Sequence, residues 1–296
     1  MRDDFGILIM SHGRADKMKT VDMLKKHGYT GKWYILIDNE DKTADEYYKR
    51  YGEHVIMFDK LEISKHIDTM DITNNRKVIL FARCACFEVA KNLGLKYFLE
   101  FDDDYNCFSY RHEGKNELKQ SPCRNLDKAI NIMIDFLEDT NAETVAFAQG
   151  GDFVGGLNSN TWKMQLKRKA MNTFFCRTDR YIDFVGTINE DVNMYVNYGM
   201  RGKLVFTTAL LMINQEQTQK TKGGMTEIYE QEGTYLKSFY SVMTQPSCVK
   251  IAQMGNIHKR FHHHVLWDYC TPMIINEKYK KRKRVRDWQE QIIQKI

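Results

Sequence analysis

The sequence predicts an α/β protein, with a mostly parallel sheet flanked by helices in a single compact domain that carries a C-terminal extension. Two observations carry this expectation. Short apolar runs alternate with amphipathic helical segments through the first 150 residues, the pattern of strands joined by crossover helices. The runs are continuous rather than alternating, as strands covered on both faces require. The 296 residues are 43% hydrophobic and 28% charged, enough to bury a sizeable core and too apolar for a disordered chain.

The elements follow in order. FGILIM (Phe5 to Met10) reads as a buried strand ending in the turn Ser11-His12-Gly13-Arg14. Met18, Val21, Leu24 and Lys25 have helical spacing, which places a helix over about 16–27 with Gly28 as its stop. WYILI (Trp33 to Ile37) is a second strand, followed by the acidic turn at Asp38. Thr43 and Glu46 have capping-box spacing for a short helix to Tyr51, and HVIMF (His54 to Phe58) is a third strand. A helix over about 77–93, stopped by Gly94, leads into YFLEF (Tyr97 to Phe101). A further helix spans about 126–138, and TVAFA (Thr144 to Ala148) is a fifth strand. Beyond Gly150 the pattern loosens. Asn214 to Gly224 (NQEQTQKTKGG) is polar throughout and reads as a mobile loop, and 226–243 reads as a helix.

Composition bounds the setting. No apolar run approaches the roughly 20 residues of a membrane helix, and no secretory signal follows Met1-Arg2-Asp3-Asp4. Seven scattered cysteines suit a reducing compartment. The expected location is the cytoplasm, with no membrane partner. The net charge of +5 is mild, but Lys278 to Arg286 (KYKKRKRVR) packs seven cations into nine residues. Lys280, Lys281, Arg282 and Arg284 are candidates for phosphate contacts, with Tyr279 and Trp288 as stacking neighbours. The competing reading is a solvated terminal helix.

The strongest chemical signal is Glu100-Phe101-Asp102-Asp103-Asp104-Tyr105. Carboxylates that end a strand stand at the carboxyl edge of the sheet, where open α/β folds bind ligands. Alternate residues of an extended segment face one way, so Asp102 and Asp104 can converge on one hard cation such as Mg²⁺ or Mn²⁺. Arg83 stands among Phe81, Ala82, Ala85 and Phe87, out of place unless paired. It either reaches a phosphate with its forked guanidinium or forms a structural salt bridge with Glu88 or one of the aspartates. His258 and His262-His263-His264 form the one histidine cluster, with no cysteine at zinc-motif spacing.

A strand ending in Asp-x-Asp, with Arg83-x-Ala85 on the preceding helix and a short polar turn after the first strand, resembles the core of GT-A glycosyltransferases. The resemblance covers about residues 5 to 105 and implies a GT-A-like, Rossmann-type sheet. It implies a glycosyltransferase domain over 1–270, with a nucleotide-sugar-binding half (1–110), an acceptor half (111–270) and a basic extension (271–296). The implied donor is a nucleotide-sugar, a UDP-sugar first, held with Mn²⁺ or Mg²⁺. Ser11, Arg14, Asp38, Arg83, Asp102 and Asp103 would contact it, and the loop from Asn214 would close over it. Asp102 and Asp104 would hold the metal, with His262 or His264 completing its shell as a late histidine does in such enzymes. Glu190 and Asp191 would supply the base, with Asp191 preferred. The stretch from Asn74 to Tyr105 is similar to phage glycosyltransferases encoded beside TET/JBP-type DNA hydroxylases, which implies DNA with hydroxymethylated bases as acceptor.

Two other readings fit parts of the sequence. A metal-dependent nucleotidyltransferase also sets carboxylates against a nucleotide, but it would want a glycine-rich basic loop where Ser11-His12-Gly13-Arg14 stands. A non-catalytic nucleic-acid-binding protein would have no use for three aspartates at a strand end.

Overall fold

A computed structural model describes residues 1–70, 76–159, 161–163, 169–215, 226–254 and 260–280. His258, Lys281, Arg282, Arg284, Trp288 and residues 216–224 of the polar loop lie outside the described residues. The elements are β1 (Phe5–Met10), α1 (Lys19–Lys26), β2 (Lys32–Asp38), α2 (Ala44–Tyr51), β3 (Val55–Phe58), α3 (Lys60–Ser64), α4 (Leu80–Asn92) and β4 (Tyr97–Asp102). There follow β5 (Tyr105–Glu113), β6 (Leu118–Pro122), α5 (Leu126–Thr140), β7 (Thr144–Gln149), β8 (Phe174–Arg177), α6 (Glu190–Met200) and β9 (Val205–Gln215). The chain continues with α7 (Thr226–Thr244), β10 (Val249–Met254), β11 (Arg260–Val265) and α8 (Trp267–Cys270).

Nine strands form one sheet in the order β3-β2-β1-β4-β8-β7-β9-β5-β6, and β10 pairs with β11 in a separate hairpin. Strands β3, β2, β1 and β4 pair in parallel. β8 is antiparallel to both β4 and β7, and β5 is antiparallel to both β9 and β6, while β7 and β9 are parallel. β8 and β5 thus run against the other strands, and the mostly parallel α/β sheet expected from the sequence is what forms. The carboxyl ends of β1, β2, β4, β7 and β9 share one edge, and the two expected halves share this one sheet.

The continuous apolar runs are explained by cover on both faces. Leu8 and Met10 pack with α4 and α6 residues such as Phe81, Phe87 and Val192. Phe5, Ile7 and Ile9 pack on the other face with Val21, Leu24, Ile130 and Ile134 of α1 and α5. α6 lies so close to α8 that a Cβ on Gly199 would stand 1.6 Å from the Cys270 carbonyl oxygen, so only glycine fits there.

Several boundaries shift for local reasons. α1 begins at Lys19 because a turn closed by Lys17 N–H on the Arg14 carbonyl precedes it. The expected capping box at Thr43 does not form, since the Thr43 hydroxyl donates to Asp41 instead (2.7 Å). Glu190 and Asp191 form the first turn of α6, behind Asn189 in the left-handed region (φ 56°). Asn214 and Gln215 end β9, so the polar run starts as strand. No helix among the described residues is long and apolar enough to cross a membrane.

Candidate active site

The acidic turn joins β4 to β5 and is tied to α1. Thr20 N–H donates to the Asp103 carbonyl (3.1 Å). The Thr20 hydroxyl donates to the Asp102 carbonyl (2.6 Å) and accepts from Tyr105 N–H (3.0 Å). Three hydrogen bonds from one residue hold the aspartates in place, which suits a site that must bind without rearranging.

Met10 stands in register with Asp102, so the turn after β1 lies beside the turn after β4. The Ser11 hydroxyl donates to Asp103 Oδ2 (2.6 Å) and also bonds the Tyr47 hydroxyl (2.7 Å). Arg14 Nη1 donates to Asp103 Oδ1 (3.1 Å), and Arg14 N–H donates to the Tyr47 hydroxyl (2.8 Å). Both oxygens of Asp103 are therefore engaged inside the protein. This corrects the expectation that Asp103 faces the donor: it is buried and fastens the two turns together.

Asp38 ends β2 beside them. Its Oδ2 meets His12 Nδ1 (2.7 Å), and its Oδ1 meets the buried Lys60 ammonium (2.9 Å). Burial lifts the Asp38 carboxyl, but the hydrogen bonds from His12 and Lys60 outweigh it and hold the pKa below the usual range. Gly13 N–H donates to Asp41 Oδ2 (2.7 Å). His12, Asp41, Tyr47 and Lys60 were invisible as site residues in the sequence, because their roles depend on α2 and β3 folding back on the first turn.

Arg83 is 1% exposed and links three elements. Its Nε donates to Glu190 (2.9 Å), Nη1 donates to Glu100 (3.2 Å), and Nη2 lies 3.7 Å from Asp102 Oδ1. Its guanidinium also lies over Phe174, 5.2 Å from the ring centre. The structure decides between the two readings of Arg83 in favour of a salt-bridge hub, with Glu100, Glu190 and Asp102 as partners rather than Glu88. Glu190 is held by Arg83 and so is a positioning group, a correction to its place beside Asp191 as a base.

Burial lifts the Glu100 and Asp102 carboxyls to about 8 against the pull of Arg83. Asp104, Asp103 and Glu190 push Asp102 the same way as burial. Asp102 Oδ1 is buried and accepts no hydrogen bond among the described residues. A buried carboxylate oxygen that accepts no hydrogen bond, 3.7 Å from Arg83 and next to another aspartate, is the donor chemistry a hard divalent cation takes, and Mg²⁺ or Mn²⁺ fits there with phosphates and water completing its shell.

His262 and His264 do not join that pair. They lie on β11, and among the described residues no three His, Cys, Asp or Glu side chains gather as a metal site. Alternation along β11 turns His263, not its neighbours, inward: His263 and Val265 are buried and His264 is exposed.

Asp191 is buried in the first turn of α6, and its carboxylate accepts from Val192 N–H (2.8 Å). Burial and the neighbouring Glu190 raise its pKa to about 6, with Arg83 and Lys169 opposing. Tyr195 follows one turn later on the same helix face, and its buried hydroxyl finds no partner among the described residues. That phenol is a further site candidate that the sequence reading missed.

The basic tail begins elsewhere. Lys278 and Tyr279 both bond the buried Glu143 at the amino end of β7, and Lys280 pairs with Glu277. Its described part thus lies at the opposite edge of the sheet from the aspartates.

A family model described as TET-associated glycosyltransferase matches residues 5–224. The chain belongs to the TET-associated glycosyltransferases. No curated protein sequence matches it. Among solved structures it is similar to the mannosyltransferase PcManGT of Pyrobaculum calidifontis in complex with GDP-Man and Mn²⁺, at 10% identity and a TM-score of 0.47. That match covers 78% of this chain and 61% of the mannosyltransferase, so the chain spans about three fifths of that protein. It is also similar to glucosyl-3-phosphoglycerate synthase of Mycobacterium tuberculosis in complex with Mn²⁺, UDP-glucose and phosphoglyceric acid. There the identity is 7%, the TM-score 0.47, and coverage 91% of this chain and 88% of the synthase.

In this TET-associated glycosyltransferase the Arg83 hub also governs stability. Breaking a buried ion pair by removing one partner costs about 3–5 kcal/mol, because the other charge stays buried and uncompensated. Arg83→Ala is expected to lose about that much, read as a lower urea midpoint, while Arg83→Lys loses less. An unchanged midpoint in Arg83→Ala would show that the carboxylates are neutral or solvated without it.

Proposed function

We propose that this glycosyltransferase moves a sugar from a nucleotide-sugar, a UDP-sugar by preference, to the hydroxyl of a 5-hydroxymethylated pyrimidine in phage DNA, with Mn²⁺ or Mg²⁺ as cofactor. The single observation that carries the reading is the Arg83 hub. It sets the Asp102–Asp104 pair on one side and the first turn of α6, with Asp191, on the other, at the sheet edge where α/β folds bind ligands. Asp102 and Asp104 would hold the metal, and a bound cation supplies charge neutralisation for the leaving nucleoside diphosphate. Arg14, part-exposed at its guanidinium, and Asp38 would line the nucleotide's place. Asp191 takes the proton from the acceptor hydroxyl, and a carboxyl raised to about 6 suits a base working near neutrality. The residues on the β7–β9 side would receive the acceptor.

The test is mass spectrometry of hydroxymethylated and plain DNA after incubation with a panel of nucleotide-sugars and Mn²⁺. One added sugar on the hydroxymethylated DNA alone, with release of nucleoside diphosphate, is the expected result. Release of pyrophosphate would instead make the protein a nucleotidyltransferase. Sugar on neither DNA with any donor would leave the DNA acceptor without support.

The tail makes a separate prediction. Cutting after Asn276 would strip Glu143 of Lys278 and Tyr279 and destabilise the fold, so the informative cut is after Lys280. If residues 281–286 track phosphates, the shortened protein binds DNA more weakly. Its slope of log affinity against log salt also falls by roughly 0.9 for each lost contact on duplex DNA. Donor hydrolysis without acceptor stays as in the full chain. Equal DNA affinity at every salt concentration would reduce the tail to a solvated terminus.

A further inference from the structure

A second charged cluster lies beside Asp191. Three segments far apart in sequence supply it. Lys169 precedes β8 and is held by its carbonyl, which accepts from the Thr207 hydroxyl on β9 (2.8 Å). Lys237 lies on α7, and its carbonyl accepts from Asn189, the residue that begins α6 (2.7 Å). His262 and His263 come from β11, with Arg260 at that strand's start. Lys169 Nζ stands 3.4 Å from His263 Nε2. The other ring nitrogen of His263, in a side chain 6% exposed, has no hydrogen-bond partner among the described residues.

The cations act on one another. Burial depresses the Lys237 ammonium, with Arg260 and Lys169 pressing the same way and Asp191 and Glu190 opposing. Burial also lowers the His262 imidazole to about 4, with Lys169, Arg260 and Lys237 adding to it. Glu190 is already bound to Arg83 (2.9 Å), so Asp191 is the carboxylate left to face this group of bases. Basic side chains brought together from separate elements are the donors that the oxygens of a phosphate accept from.

We propose that Lys169, Lys237 and His263 form a binding site for a phosphate of the acceptor, held next to the hydroxyl that Asp191 deprotonates. The assignment rests on the reading of Asp191 as the base given above. The donor's diphosphate belongs with Asp102 and Asp104 across the Arg83 hub, whereas these bases stand on the Asp191 side. A nucleotide unit presents a phosphodiester close to its base, so an acceptor hydroxyl on a base brings an anion to this place. A small acceptor bearing a phosphomonoester shares the chemistry, and the test separates the two.

The experiment compares the full chain with Lys169→Met/Lys237→Met. Equilibrium binding is measured for a short unmodified oligonucleotide, for inorganic phosphate, and for UDP with Mn²⁺. The double variant is expected to lose at least tenfold in affinity for the oligonucleotide and for phosphate. UDP affinity should be unchanged. Should the double variant not fold, Lys237→Gln is measured alone, with Lys237→Arg expected to restore binding. Oligonucleotide and phosphate affinities at the level of the unaltered chain would overturn the proposal. So would a parallel loss of UDP affinity, which would assign the cluster to the donor. If the unaltered chain binds phosphate but no oligonucleotide, and the variant loses phosphate, the phosphate site stands and the DNA acceptor falls.

Discussion

Asp104→Ala is expected to leave the protein folded and to cut sugar transfer by about three orders of magnitude. A metal that neutralises a leaving diphosphate stabilises the transition state by several kcal/mol, and each ~1.4 kcal/mol is a factor of ten. The turn that carries Asp104 is held through backbone groups of Asp102, Asp103 and Tyr105 by Thr20, so the side chain can go without releasing the turn. Mn²⁺-stimulated binding of UDP should disappear in the same variant, measured by calorimetry with and without metal. Near-normal turnover with Mn²⁺ present would show that the donor is held elsewhere.

The second large effect is expected at Asp191. Asp191→Asn keeps the shape and the hydrogen bond from Val192 N–H but cannot accept a proton, so transfer should fall by roughly 10²- to 10⁴-fold. Donor binding, proposed on the other side of the Arg83 hub, should be kept. The pH profile gives an independent readout. The working form of a base is the ionised one, and burial with Glu190 raises the Asp191 pKa to about 6. Transfer by the unaltered enzyme should therefore hold above about pH 6 and fall tenfold per unit below it. The residual activity of Asp191→Asn should lack that limb. A variant with the same limb would move the base to another residue, and a loss of donor affinity in step with rate would make Asp191 a structural residue.

The positioning role of Glu190 sharpens this assignment. The adjacent acids look equivalent in sequence, yet a helix turns about 100° per residue, so neighbours cannot face the same partner. Glu190 accepts from Arg83 (2.9 Å), whereas Asp191 accepts from Val192 N–H (2.8 Å).

The sequence by itself determined the parallel half of the sheet and the place of its acidic end. In FGILIM, WYILI and YFLEF, continuous apolar runs are stable only when helices cover both faces, and that requirement is local enough to read from composition and spacing. The strand-end position of Asp102 to Asp104 followed from the same runs. Strands β8 and β9 and the β5–β6 and β10–β11 hairpins were not legible, because short strands with mixed faces carry little periodic signal and depend on partners far along the chain. Only the tertiary structure decided what each charged side chain does. It turned Asp103 inward to Ser11 and Arg14, spent Arg83 on Glu100, Glu190 and Asp102, and kept His262 and His264 out of any three-residue metal cluster. It also brought Lys169, Lys237 and His263 to one place beside Asp191, and set the start of the basic tail on Glu143 at the far edge. The physical reason is one of range. Hydrophobic periodicity is written within a dozen residues, but whether a charge is paired, buried or free to bind depends on which distant segment folds against it.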